Sequence, residues 1–182
     1  MIEILAVLLF AGGLAKLADI FSDDEEQENL WGIAAAIPYG ILLGYVMSVD
    51  AIVGTIFLGV VAGVALTGKF DSISHLSALA AIILTLTFFG SFLPALAISA
   101  VIFATSVLDE ILNDYVNGLK KRGEKASSPV RIISEYRLLT EFAGIGFFAI
   151  TGNALYWLAI LAFDAGYIAI DFLGKKIGKI AP

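Results

Sequence analysis

The sequence contains no cysteine and a single histidine, and only 15% of its residues are charged. The absence of cysteine excludes disulfides, thiolate nucleophiles and cysteine-ligated zinc. Charge is scarce beside the roughly 25% of soluble domains, whereas the hydrophobic fraction reaches 59%. Chemistry must therefore come from carboxylates, lysine, arginine, His75, hydroxyl groups and the backbone. These proportions predict an all-α integral membrane protein.

Long apolar runs separated by short polar breaks leave room for six or seven membrane-spanning helices, since one crossing needs roughly 20 apolar residues. The start of the chain lacks the basic segment and cleavage site of a signal peptide, so residues 1–20 are expected to remain in the mature protein. The predicted spans, within a single transmembrane domain covering 1–182, lie near 2–20, 31–48, 51–67, 75–90, 93–112, 132–151 and 153–173. The predicted cytoplasmic loops are 21–30, 68–74 and 113–131.

The basic residues favour seven spans over six, because Lys and Arg near span ends are held on the cytoplasmic side. With seven spans and an outer N-terminus, all eleven basic residues lie at or toward that side. Merging residues 132–172 into one span would place either the 113–131 segment or the C-terminal lysines outside. We therefore predict a polytopic helical bundle in the cell membrane, with about seven spans, an outer N-terminus and a cytoplasmic C-terminus.

Acidic residues gather at the cytoplasmic ends of the inward-running spans, where unpaired helix carbonyls add to the negative potential. The richest such segment follows the fifth span and carries oxygen ligands that suit Mg²⁺. The candidate metal ligands are Asp109, Glu110, Asn113 and Asp114. The candidate phosphate-binding residues are Lys69, on the loop between the third and fourth spans, and Lys120 and Lys121, which follow the acids in the sequence. The alternative is that the acids only solvate a helix end.

A second group surrounds the start of the fourth span. Asp71 and His75 would share one face if a helix begins near Ser72, and they are the candidate catalytic acid and base. The alternative is that Asp71 or Ser72 caps the helix while His75 rests at the interface. Lys16 and Asp19, three residues apart on the first span, are secondary candidates, unless they simply neutralise each other.

Two further acids, Glu141 and Asp164, are predicted near the middle of the membrane, where a carboxylate is costly and usually faces a cavity or the protein interior. They are candidates for a proton or cation site or for the inner wall of a substrate cavity. Alternatively, Glu141 pairs with Arg137 one helical turn away. Glycines at small-xxx-small spacing, such as Gly40 with Gly44, predict close helix packing.

Acid-rich inner helix ends followed by basic residues resemble the diphosphate and Mg²⁺ sites of intramembrane prenyltransferases and of CDP-alcohol phosphotransferases. The paired Asp-rich motifs of the former are not reproduced in full, the signature of the latter is absent, and the chain is shorter than a usual intramembrane prenyltransferase. The resemblance therefore implies chemistry with Mg²⁺ and a diphosphate, but it assigns no residue roles.

These observations favour a membrane enzyme, a lipid-phosphate transferase or hydrolase, that uses Mg²⁺ on a phosphate- or diphosphate-bearing lipid at the cytoplasmic leaflet. The alternatives are a small cation- or proton-coupled transporter or channel that uses Glu141 and Asp164, and a non-catalytic scaffold. A cytoplasmic-side pocket lined by Asp19, Asp71 and Asp109 would favour the enzyme, and a polar pore past Glu141 and Asp164 would favour transport. Membrane lipids are the expected partners, nucleic acid is not, and a homo-oligomer is left open.

Overall fold

The computed structural model describes residues 1–22, 30–90 and 93–177, and all regular structure in those ranges is helical. The eight helices there are α1 (Ile2–Ser22), α2 (Leu30–Val49), α3 (Ala51–Leu66), α4 (Ile73–Phe89), α5 (Leu96–Lys121), α6 (Ser128–Glu135), α7 (Leu138–Thr151) and α8 (Leu155–Ile177). The predicted all-α architecture is confirmed.

Four of these helices, α1, α2, α5 and α8, are long and apolar enough to cross a membrane. Three others, α3, α4 and α7, are apolar but have only 16, 17 and 14 residues. At about 1.5 Å per residue they fall short of a hydrocarbon core about 30 Å thick. The chain is thus a helical membrane protein, and the count of seven spans stays a prediction.

Most predicted breaks coincide with helix ends that have a local cause. Asp50 separates α2 from α3 and caps α3 by accepting from the Ile52 and Val53 amides at 2.9 and 3.1 Å. The Ser72 hydroxyl caps α4 by accepting from the His75 amide at 3.2 Å. Gly152 ends α7 in the left-handed conformation, φ 73°, which glycine adopts without strain. Of the predicted loop 21–30, residues 23–29 lie outside the described residues.

The predicted loop 113–131 and the predicted span 132–151 need correction. Helix α5 continues through residues 113–121, with Lys120 and Lys121 in its last turn, where cations offset the helix dipole. Residues 128–135 form α6, and the chain breaks at Tyr136 and Arg137 before α7 begins at Leu138. Arg137 has a φ of 48°, a backbone conformation that composition and hydropathy do not reveal.

The bundle is organised by close helix pairs: α1 packs on α2 and α8, α2 on α4, α3 on α5, and α7 on α5 and α8. The predicted glycine contacts are confirmed. A Cβ atom added to Gly40 would lie 2.8 Å from the Ala81 Cβ of α4, and one added to Gly59 would lie 2.6 Å from the Ser99 carbonyl oxygen of α5. Only small residues permit such approaches.

The largest buried apolar cluster joins α1, α2, α3, α4, α5 and α8 through side chains such as Leu8, Leu43, Phe57, Ile82 and Ile102. On one side of it the aromatic rings of Phe57 and Phe163 lie 5.4 Å apart, and the Tyr39 ring lies 6.4 Å from that of Phe163. These rings separate the apolar interior from a cavity at one end of the bundle. We call this end, where α1 and α3 end and α4 and α7 begin, the polar end.

Candidate functional site

A cavity of about 360 Å³, the main cavity, occupies the polar end of the bundle. Its polar lining comprises Lys16, Asp19, Tyr39, Lys69, Asp71, His75, Glu110, Asn113, Arg137 and Tyr167. Its apolar lining includes Leu43, Phe57, Val60, Val61, Val64 and Phe163. Five helices, the loop before α4 and the break before α7 contribute polar groups to it, so helix packing rather than any one segment creates the site.

Polarity changes with depth in the main cavity. Lys69, Asp71 and His75 lie on the connection between α3 and α4 and on the first turn of α4. Phe57 lies nine residues before the end of α3, about 14 Å deeper along the helix axis. The cavity therefore presents ionisable groups near the bundle end and apolar walls further in. Its volume falls within the roughly 300–1,000 Å³ typical of small-molecule sites.

Asp19 is the centre of a hydrogen-bonded group that joins three helices. Its Oδ1 lies 2.9 Å from the Nε2 atom of His75 on α4, and its Oδ2 accepts from the hydroxyl of Tyr167 on α8. The other imidazole nitrogen, Nδ1, is buried with no hydrogen-bond partner among the described residues, and it lies 3.8 Å from Asp71. The imidazole is thus held by one nitrogen, while the other has no hydrogen bond within the described residues.

Each lysine or arginine that lines the main cavity pairs with an acidic side chain from a different segment of the chain. The Lys16 ammonium lies 3.0 Å from Asp171 and 4.9 Å from the centre of the Tyr167 ring. Lys69 pairs with Asp114. The Arg137 guanidinium lies 2.8 Å from Glu110, whose side chain is only 3% exposed.

Two pairings that the sequence left open as alternatives do not form. Lys16 pairs with Asp171 rather than with Asp19, whose partners are His75 and Tyr167. Arg137 pairs with Glu110 rather than with Glu141. Arg137 precedes α7 in a left-handed conformation, so the helical spacing behind the Glu141 pairing does not exist there.

The four candidate Mg²⁺ ligands point to different partners. Asp109 caps α7, since its carboxylate accepts from the Leu139 amide at 3.2 Å and from the Thr140 amide and hydroxyl at 2.9 and 2.8 Å. Glu110 is paired with Arg137 and Asp114 with Lys69. Asn113 lines the main cavity and accepts from the Asn117 amide group at 3.3 Å.

In the described ranges no three His, Asp or Glu side chains are placed to hold a metal ion. Because Asp109, Glu110 and Asp114 each bond to a different partner, the candidate ligands do not form one Mg²⁺ site in this arrangement. Among the candidate phosphate ligands, Lys69 lines the main cavity, whereas Lys120 and Lys121 are exposed on α5 and do not line it.

Glu141 and Asp164 lie away from the main cavity, in a groove of about 700 Å³ between α7 and α8, the α7–α8 groove. Asp164 also lines a small inner cavity of about 30 Å³, whose wall includes Arg137, Asp109 and Glu110. This inner cavity lies between the main cavity and the groove and shares lining residues with both.

The interpretation of the sequence missed Arg137 and Tyr167 as site residues. Tyr167 could have been found, because Asp164, Tyr167 and Asp171 follow at spacings of three and four residues and so share one face of α8. Arg137 could not, because its position depends on the break before α7.

The fold and the main cavity together define a helical membrane protein with a cavity that is polar at one end and apolar at the other. Comparison with family models, with curated proteins and with solved structures gave no match.

Proposed function

We propose that this chain is a membrane enzyme, a transferase or hydrolase, that acts on a lipid bearing a phosphate or diphosphate group at the cytoplasmic leaflet of the cell membrane. The observation that carries the proposal is the division of the main cavity along its depth. Lys16, Lys69 and Arg137 offer N–H donors for phosphate oxygens near the bundle end. The apolar wall around Phe57 suits the start of a lipid chain.

The charge balance of the main cavity limits the kind of lipid head group that we expect it to bind. With His75 neutral, three cations, Lys16, Lys69 and Arg137, oppose three acids, Asp19, Asp71 and Glu110. A bare polyanion gains little from a lining whose charges cancel, and it would have to displace existing ion pairs. The lining favours a phosphate whose charge is partly balanced, by a cationic group of the same lipid or by a bound cation. Mg²⁺ is one cation that could balance the phosphate charge, and the proposed turnover would then depend on it.

His75 is the proposed acid–base group. Asp19 holds the Nε2 atom of the ring at 2.9 Å, which orients the imidazole. The available Nδ1 atom would accept a proton from an attacking hydroxyl group or water, or return one to a leaving group. Asp71, which lies 3.8 Å from Nδ1 with a side chain that is 77% exposed, is placed to exchange that proton with solvent.

The replacement His75→Gln is expected to lower turnover about 100-fold, since a positioned acid or base contributes roughly 10²–10⁴-fold, while lipid binding is retained. Purified protein in liposomes would be assayed for phosphate release from long-chain alkyl phosphate and diphosphate, and for transfer to an alcohol, each with and without Mg²⁺.

The matched control is Glu124→Gln, at an exposed position after α5, which should leave turnover unchanged. Normal turnover in His75→Gln would remove His75 from the mechanism. Failure of the unaltered protein to bind or turn over any of these lipids under either condition would reject the enzyme proposal and leave the transport and scaffold alternatives.

The proposed orientation predicts opposite labelling of the two bundle ends. Because the chain lacks cysteine, single cysteines can be introduced at Glu124, beyond the polar end, and at Leu93, which is 92% exposed between α4 and α5. In intact cells an impermeant maleimide should label Leu93→Cys and should reach Glu124→Cys only after permeabilisation. The reverse pattern would place the main cavity outside and reject the cytoplasmic leaflet.

The transport alternative has one observation in its favour, the inner cavity that connects the surroundings of Asp164 with those of Arg137. The α7–α8 groove beyond it is lined almost entirely by apolar side chains, which does not suit a hydrated ion. We therefore place transport second, and ion or proton flux measured in the same liposomes separates the two.

A further inference from the structure

The α7–α8 groove is an open apolar surface with two acids set into it. Phe142 of α7 and Phe172 of α8 line it and are 57% and 64% exposed, so the groove faces the surroundings of the bundle. In a membrane protein those surroundings are lipid. The carboxyl groups that line the groove are those of Glu141 and Asp164.

Glu141 is buried without full hydrogen bonding. The residue is only 7% exposed, and its Oε2 atom has no hydrogen-bond partner within the described residues. Trp157 lines the same groove as this carboxyl group. A buried acceptor left without a donor is costly, so the structure leaves one acceptor ready for a donor that enters the groove.

The surrounding charges do not supply that donor. Among the described residues that line the groove and the inner cavity, Arg137 is the one basic side chain, and it lies 2.8 Å from Glu110. Asp109, the remaining acid of the inner cavity, is engaged by Leu139 and Thr140. Glu141 and Asp164 thus share a region in which carboxyl groups outnumber cations.

We propose that the α7–α8 groove binds the ammonium end of a membrane amphiphile, an alkylammonium compound whose chain lies along the apolar wall while its N–H groups donate to Glu141 and Asp164. This is a second site, separate from the main cavity, and it does not depend on the function proposed there. A volume of about 700 Å³ accommodates a molecule of lipid-chain size.

Other occupants fit less well. Ca²⁺ and Mg²⁺ take six or more oxygen ligands, and the groove offers two carboxyl groups in an apolar wall. A proton would neutralise a carboxylate but leaves the groove unfilled. A neutral lipid chain would fill the groove but would leave the Glu141 Oε2 atom without a donor.

Trp157 makes the proposal testable by fluorescence, since it lines the groove together with Glu141. The chain has two tryptophans, so the Trp31→Phe variant reports Trp157 alone. In detergent at neutral pH, bromododecylammonium should quench Trp157 at concentrations about tenfold lower than bromododecanol, the magnitude of a hydrogen bond to a charged group.

In the Trp31→Phe background, Glu141→Gln and Asp164→Asn should each weaken quenching by the ammonium probe about tenfold and leave quenching by the alcohol unchanged. Glu3→Gln, which removes an exposed charge from the first turn of α1, should behave like the parent. Equal quenching by the two probes in the parent would overturn the proposal, and this outcome requires no substitution in the groove. So would unchanged ammonium quenching in both Glu141→Gln and Asp164→Asn.

Discussion

Replacing Arg137 with methionine is expected to lower the free energy of unfolding by about 3–5 kcal/mol, because it leaves a buried carboxylate without its partner. Glu110 is 3% exposed and lies 2.8 Å from the guanidinium. Methionine retains much of the length of the arginine side chain, so the loss reflects charge and hydrogen bonding more than packing. Reversible unfolding in mixed micelles, followed by circular dichroism, measures the difference.

Two controls separate this effect from a general loss of charge. Arg122→Met removes an arginine 3.7 Å from Glu124, but both side chains are more than half exposed, so less than about 1 kcal/mol is expected. The double variant Glu110→Gln, Arg137→Met removes both charges and should recover most of the lost stability. If Arg137→Met is as stable as Arg122→Met, the ion pair between Arg137, whose side chain is 39% exposed, and the buried Glu110 does not form.

The main features of the fold follow from local properties of the sequence. Apolar run length predicts the helices, and single residues such as Asp50, Ser72 and Gly152 mark where they end. Caps and left-handed glycines act within a few residues of their own position. Glycine spacing likewise predicted close helix packing at Gly40 and Gly59, although not that their partners would be α4 and α5. These predictions needed no knowledge of how the helices are arranged.

The pairing of charges could not be predicted in the same way. Lys16 has Asp19 three residues away, yet it pairs with Asp171, more than 150 residues distant. Asp109 has the chemistry of a metal ligand, yet it caps α7. The rotation of each helix about its axis decides which of several nearby groups a side chain meets, and apolar composition does not encode that rotation. The sequence therefore indicated most of the polar residues of the main cavity but not their partners.

The second large effect is expected on stability when the glycine contact between α1 and α8 is altered. A Cβ atom at Gly166 would lie 2.8 Å from the Leu9 carbonyl carbon and closer to its oxygen, and one at Gly12 would meet the Phe163 carbonyl group in the same way. Both obstacles are backbone atoms, which cannot move aside as a flexible side chain would. Gly166→Ala must therefore separate the two helices, at an expected cost of about 3 kcal/mol or more.

Separation of α1 from α8 would also disturb the main cavity, because the same two helices carry the contacts of Lys16 with Asp171 and of Asp19 with Tyr167. Gly166→Ala should thus lose lipid turnover under conditions in which the protein is still folded. The matched controls are Gly118→Ala in α5 and Gly146→Ala in α7, where a Cβ atom meets nothing within 4 Å. Both should be neutral or stabilising by up to about 1 kcal/mol, since alanine favours a helix over glycine. If Gly166→Ala matches these controls in both stability and turnover, α1 and α8 do not approach as closely as described, and the partners assigned to Lys16 and Asp19 fail with them.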